Sequence, residues 1–146
     1  MKIDSIQPVL QEIADRARAI VEADRCTIFQ VDGQTGEIFS RVAHGLADGQ
    51  EIRLPTSRGV IGYVCRSGRP LRMRDAYNDP RFDPSIDKTT GYRTHSILCV
   101  PVKDQKATVV GAMQLINKRE GRRFSDEDER ALDPLCQEIA AALSDA

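Results

Sequence analysis

The sequence predicts an α+β domain with an antiparallel sheet, and three observations carry that expectation. Residues 26–31, 96–103 and 108–117 are rich in β-branched and other apolar residues and are bounded by turn formers, the pattern of strands. Both ends of the chain carry the apolar period of helices. The elements run helix, three strands, short helix, long loop, two strands, helix, without the strand–helix alternation that builds parallel sheets.

The first helix is marked by Ile3, Ile6, Leu10, Ile13, Ala17 and Ile20, spaced 3-4-3-4-3 like a coiled-coil seam. Such a stripe suits a helix that covers its own domain and equally one shared with a second copy. Pro8 puts the firm start of this helix near its second turn, because proline lacks the N–H an interior position needs. Residues 26–31 and 37–43 form an expected hairpin around Asp32-Gly33 and Thr35-Gly36. Gly45, Asp48 and Gly49 then break the chain before a short strand at 51–54.

Residues 59–66 read as a short helix with Ser57 as cap and Gly68 as stop, and 71–73 as a short extended piece. Residues 75–94, dominated by Asp, Asn, Pro and Gly, are expected to be a loop with one helical turn at 84–89. Loops of this length are commonly functional. The runs 96–103 and 108–117 meet at Asp104-Gln105-Lys106 as a central hairpin. Ser125 caps a last helix with an acidic start and an apolar face of Leu132, Leu135, Ile139 and Leu143. Pro134 lies inside it at a cost of about 3 kcal/mol, which predicts a kink or a late start.

A chain of 146 residues is expected to form one domain with a core that needs no staples. Its 21 Lys and Arg against 22 Asp and Glu leave a net charge of −1, too little to hold nucleic acid or an anionic membrane by bulk field. Trp is absent and aromatics are 5%, which argues against a stacking platform for single strands. The longest uncharged run, residues 107–117, is about half of a membrane span, and the N-terminus carries no secretory pattern. Cys26, Cys65, Cys99 and Cys136 are far apart and have no metal spacing. They read as reduced core residues of a cytoplasmic protein, with a redox role as the alternative.

Nothing in the chain resembles a nucleophile elbow, and His44 and His95 are its only histidines. The start of the helix at Gly59-Val60-Ile61-Gly62 offers free backbone N–H groups to an anion. Arg58, Arg66, Arg69, Arg72 and Arg74 crowd the same stretch and either strengthen such a site or form a solvated basic surface. Asp83, Asp87, Thr89, Thr90 and Thr94 supply the hydroxyls and carboxylates that suit ribose or a purine edge, although the Asp-Pro pairs among them also serve as turns.

The stretches Asp75-Ala76-Tyr77-Asn78-Asp79-Pro80-Arg81-Phe82, Thr90-Gly91-Tyr92-Arg93-Thr94 and Ile97-Leu98-Cys99-Val100-Pro101-Val102 resemble the GAF domains of cyclic-nucleotide phosphodiesterases and adenylyl cyclases. Asn117-Lys118, then Phe124, then Asp128-Glu129 fit that group's N-K…F-x-x-x-D-E signature. The resemblance spans the chain as one sensory domain: a helix over 1–23, sheet and pocket over 24–124, and a helix over 125–146. It implies a sheet of about six antiparallel strands with both terminal helices packed on one face.

The resemblance further implies a regulatory, non-catalytic module that senses a small molecule and signals through its terminal helices to a fused or partner output domain. It pairs Lys118 with Asp128. It places a ligand phosphate on the Val60 and Ile61 backbone, ribose and base contacts on Asp87, Thr90 and Thr94, and a purine-edge hydroxyl on Thr27. Ala43 and His44 stand where cyclic-GMP binders have a stacked aromatic and an Asp, and Gln114 stands where an acidic residue can line the pocket. Losing a stacked ring removes about 1–3 kcal/mol. Cyclic AMP is therefore favoured over cyclic GMP, with another purine as a further possibility. The alternative is a structural homodimerisation module with a vestigial pocket. Ile61 occupies the position of the nucleophilic cysteine in relatives that reduce free methionine sulfoxide, which argues against that chemistry.

Overall fold

The computed structural model describes residues 6–44, 51–57 and 59–144. Helix α1 (Gln7–Ile20) leads into strands β1 (Ala23–Val31), β2 (Ile38–Ala43) and β3 (Arg53–Leu54). Helix α2 (Gly59–Ser67) and β4 (Leu71–Met73) precede a 3-10 turn at Ala76–Asn78 and the short helix α3 (Ser85–Thr90). Strands β5 (Ile97–Lys103) and β6 (Val109–Lys118) and helix α4 (Asp126–Ser144) complete the chain. The six strands form one sheet in the order β3-β2-β1-β6-β5-β4, and its five pairings are antiparallel.

The alternation of a strand divides the core into two layers. Cys26 and Ile28 of β1, Leu98, Val100 and Val102 of β5, and Met113 and Leu115 of β6 pack under α1 and α4. Phe29, Ile97, Cys99 and Ala112 face the other way and pack with Val60, Ile61 and Val64 of α2. The terminal helices thus share one face of the sheet, and α2 lies over the other. A methyl group on Gly111 would stand 2.3 Å from the Phe29 carbonyl oxygen, so glycine lets β6 approach β1 there.

Pro8 stands in the first turn of α1, where its missing N–H costs nothing. The apolar stripe is taken up inside the domain: Ile6, Leu10, Ile13 and Ala17 are buried against the sheet and α4, joined by Ala14. Ile20 departs from the expected seam and is half exposed, and Ile3 lies outside the described residues. Arg16 ties α1 to α4 through Glu138 at 2.6 Å.

Two expectations are corrected. Pro134 neither delays nor divides α4, which runs unbroken from Asp126. Arg130, whose carbonyl would have bonded residue 134, is exposed like Pro134 itself, so water can take that carbonyl. Leu132, Leu135, Ile139 and Leu143 meanwhile anchor the helix in the core. The stretch 75–94 is also more ordered than a loop with one turn, since it contains both the 3-10 turn and α3.

The Lys118–Asp128 pair forms as the resemblance implies. The ammonium lies 2.9 Å from Asp128 Oδ2 and also donates to the Val21 carbonyl at the end of α1. Ser125 and Asp128 cap α4 reciprocally, each backbone N–H donating to the other's side chain.

Candidate functional site

Three adjacent strands bring Ala43, Thr27 and Gln114 into one row on the α2 side of the sheet. Thr27 of β1 stands opposite Ala43 of β2 and Gln114 of β6, and Gln114 stands opposite Cys99 of β5. This row floors a cavity of ≈ 920 Å³, mouth included, roofed by α2 and the loop that carries α3. Thr27, Ala43, His44, Val60, Ile61, Asp87, Thr90, Thr94 and Gln114 all line it.

Their side chains differ in what they have left to offer. Among the described residues, the Thr27 hydroxyl and the Gln114 amide have no hydrogen-bond partner in the protein, so the floor presents donors and acceptors to the cavity. Asp87 is buried and held from three directions. Its Oδ2 accepts the Tyr77 hydroxyl at 2.7 Å and the Thr94 N–H at 2.8 Å, and its Oδ1 accepts the Thr94 hydroxyl at 2.8 Å. The Tyr77 phenol is held above its usual pKa by that bond to the Asp87 carboxylate. Thr90 donates to the Ile86 carbonyl within α3. Asp87, Thr90 and Thr94 therefore first hold the pocket wall together, and only their remaining lone pairs face a ligand.

The His44 ring serves the opposite side of the sheet. Its Nδ1 accepts the Cys26 N–H at 3.0 Å, which leaves the proton on Nε2, 2.8 Å from Asp15 Oδ1 on α1. That bond holds the Asp15 carboxyl below its usual range. Ala43 leaves the floor beside Thr27 without a ring.

The described arginines of the stretch 58–74, Arg66, Arg69, Arg72 and Arg74, do not line the cavity. Arg72 projects from the other face of β4 and pairs with Asp126 and Glu129 of α4 at 2.7 and 3.3 Å. Arg66 donates to the Thr56 carbonyl. Arg69 and Arg74 are not among the lining residues, and Arg58 lies outside the described ones. Among the described residues, the arginine that lines the cavity is Arg25, whose guanidinium carbon sits 3.6 Å from the centre of the Tyr92 ring. Both residues escaped the sequence reading. The signal for Arg25 was its place two residues before Thr27, on the same face of β1. Phe29, Ile52, Leu54 and Phe82 add the apolar lining.

Asn117 fastens the wall to the sheet. In a left-handed conformation (φ 62°), its Oδ1 accepts the His95 and Ser96 N–H groups, and its Nδ2 donates to the Tyr92 hydroxyl and the Arg93 carbonyl. The next residue, Lys118, joins both terminal helices.

The four cysteines are unpaired thiols. Burial raises the pKa of each, Cys65 to about 11 and Cys136 to about 12, and pushes the fully buried Cys26 and Cys99 well above the usual thiol range. Thiolate chemistry is thereby suppressed. Among the described residues, no three His, Cys, Asp or Glu side chains gather to hold a metal ion, and no helix is long and apolar enough to cross a membrane.

A family profile for GAF domains matches residues 5–143. The chain belongs to the GAF domain family. This GAF domain is 36% identical over 138 residues to the dual 3′,5′-cyclic-AMP and -GMP phosphodiesterase 11A of Takifugu rubripes, a match covering 87% of the chain and 15% of that protein. It therefore spans a small part of that relative's length. Among solved structures, it resembles the GAF domain of a phosphoenolpyruvate-protein phosphotransferase from Coxiella burnetii, with a TM-score of 0.83 at 23% identity, covering 97% of this chain and 86% of that one. The type II free methionine-R-sulfoxide reductase of Thermoplasma acidophilum superposes with a TM-score of 0.80 at 14% identity, covering 98% and 95%. These structural likenesses concern the fold. They agree with the six-stranded antiparallel sheet and its flanking helices. Members of the family are regulatory modules that sense small molecules beside an output domain.

Proposed function

We propose that this GAF domain is a sensor whose pocket takes a cyclic nucleotide, cyclic AMP ahead of cyclic GMP, and whose terminal helices report occupancy to a fused or partner output domain. The observation that carries this reading is the floor, where Thr27 and Gln114 face each other across β1 and β6 inside a cavity walled by α2 and α3. The Gln114 amide offers a donor and an acceptor together, the pair a purine edge needs. The likeness to a dual-specificity cyclic-nucleotide phosphodiesterase supports the ligand class. The preference for cyclic AMP rests on Ala43, which cannot stack on a base, and on His44, whose ring is engaged by Asp15 and supplies no carboxylate for a guanine N1–H.

Transmission has a short path in this reading. Asn117 grips the wall through Tyr92 and Arg93, and Lys118 grips α1 and α4. A movement of the wall on ligand uptake reaches both helices through two consecutive residues. The module is non-catalytic in this proposal. Ile61 offers no nucleophile to the pocket, and the buried thiols fit a reduced cytoplasmic setting. Calorimetric titration with cyclic AMP and cyclic GMP tests the ligand. Saturable heat is expected, tighter for cyclic AMP, and the absence of heat and of any thermal shift at millimolar nucleotide contradicts the reading.

A homodimer through the terminal helices is the second reading, and one observation favours it. Val9 and Ile20 of α1 are exposed, 46% and 50%, and the helical repeat puts them on one face. Sedimentation of the wild type and of Val9→Lys/Ile20→Lys checks it. A wild-type monomer contradicts it.

A further inference from the structure

Strand β2 changes face on its way to the pocket. Ser40 stands opposite Phe29 of β1 and Val42 opposite Ile28, so Arg41 between them has no counterpart on the partner strand. A bulge of this kind reverses the alternation of the residues beyond it. Ile38 is buried with Phe29 on the α2 side, yet Val42 is buried under the terminal helices, and Ala43 takes the place in the floor. In a regular ladder continued from Ile38, Val42 would stand opposite Thr27, and Ala43 would turn to the helix side.

Helix α1 holds the strand on both sides of that floor residue. In its first turn, Gln7 Nε2 donates to the carbonyl of Arg41, the residue the ladder leaves out. The Arg41 guanidinium in turn donates to Gln30 Oε1 of β1. Further along α1, Asp15 accepts the Nε2–H of His44 at 2.8 Å, while His44 Nδ1 accepts the Cys26 N–H at 3.0 Å. From Gln7 to Asp15 the helix rises about 12 Å, and from Arg41 to His44 the strand spans about 10 Å, so both contacts form together.

We propose that Gln7 and Asp15 are positioning residues of the pocket, which clamp β2 on either side of Ala43 and so keep Ala43, and not Val42, beside Thr27 in the floor. Neither lines the cavity, so both act through β2. Val42, buried in the core under α1, favours the same register, and the clamp adds to it at the two residues that flank the floor. A displacement of α1 then disturbs the floor, and what binds the floor bears on α1 by the same free energy. That link to signalling rests on the sensor reading, whereas the register of β2 is tested without a ligand.

Methyl NMR of the free protein compares the wild type with Asp15→Asn, Asp15→Leu and Gln7→Leu/Asp15→Leu. The Ala43 and Thr27 methyls, directly opposite each other, give a cross-strand NOE in the wild type. That NOE is expected to be lost in the double variant, weakened in Asp15→Leu and kept in Asp15→Asn, whose amide oxygen still accepts from His44. NOEs between Ile28 and Met113 persist throughout and show that β1 and β6 remain paired. If the double variant does not fold, Asp15→Leu decides by the same NOE. An Ala43–Thr27 NOE of wild-type strength in the folded variant overturns the proposal even where the urea midpoint falls, because the two residues then only stabilise the fold. Calorimetry with cyclic AMP adds the second arm, with affinity expected to drop about 5–150-fold in the double variant. Unchanged affinity there overturns the positioning role while leaving the nucleotide reading intact. A wild type that binds no cyclic AMP ends the nucleotide reading, and the NOE then decides the clamp.

Discussion

The Lys118 ammonium lies 2.9 Å from Asp128 Oδ2 and 3.0 Å from Oδ1, and the two side chains are only 8% and 12% exposed. The same carboxylate accepts the Ser125 N–H, and the ammonium also donates to the Val21 carbonyl. One ion pair thus joins β6 to both terminal helices. Asp128→Ala strands a buried ammonium and opens the α4 cap, at an expected cost of about 3–5 kcal/mol. Lys118→Met/Asp128→Leu is expected to cost less, because no charge is left alone. Urea denaturation measures both, and wild-type stability for Asp128→Ala contradicts the role given to the pair.

Gly111 is a second point of strict geometry. A Cβ there would meet the Phe29 carbonyl at 2.3 Å, and backbone on a central strand has little room to retreat. Gly111→Ala is expected to lose about 1–3 kcal/mol, as overpacking does. The urea midpoint is again the readout, and an unshifted midpoint counts against the close β1–β6 approach.

The thiols should be quiet. Burial raises the pKa of all four, Cys65 least, to about 11. A thiol reagent at pH 8 is expected to label the native protein slowly, Cys65 before Cys26 and Cys99, and to label all four at once in urea. Rapid native labelling of Cys26 or Cys99 is the contrary result.

Tyr92 gives a pH dependence with a definite sign. Burial, with the bond to Asp24, pushes its phenol up to about 12, above the roughly 10 of an unfolded tyrosine. The folded state therefore favours the protonated phenol. That contribution to stability is complete below pH 10 and is lost as the pH climbs from about 10 toward 12. Ultraviolet titration at tyrosinate wavelengths should show a late-ionising tyrosine that disappears in Tyr92→Phe. An unchanged late step in that variant contradicts the assignment.

Strand periodicity made the sheet legible, and with it the floor. Once β1 and β6 are placed, alternation puts Thr27 and Gln114 on one face, and the family resemblance supplied their neighbours. The same alternation explains where local density misled. Leu71 and Met73 are buried on the α2 side, so Arg72 between them points to α4 instead of the pocket. His44, one residue past Ala43, turns its ring to Asp15. The clasp of Asp87 on Thr94 was not legible, because it closes seven residues later across the left-handed Gly91. Nor was the continuity of α4 through Pro134, where packing outweighs propensity.

Amide NMR during a cyclic AMP titration tests the sensor reading at residue resolution. Saturable shifts are expected at Thr27, Ala43, Ile61, Thr94 and Gln114 around the cavity, followed by smaller ones at Asn117 and Lys118 on the path to the helices. Spectra unchanged at millimolar nucleotide, or shifts confined to the α1–α4 face, would contradict it.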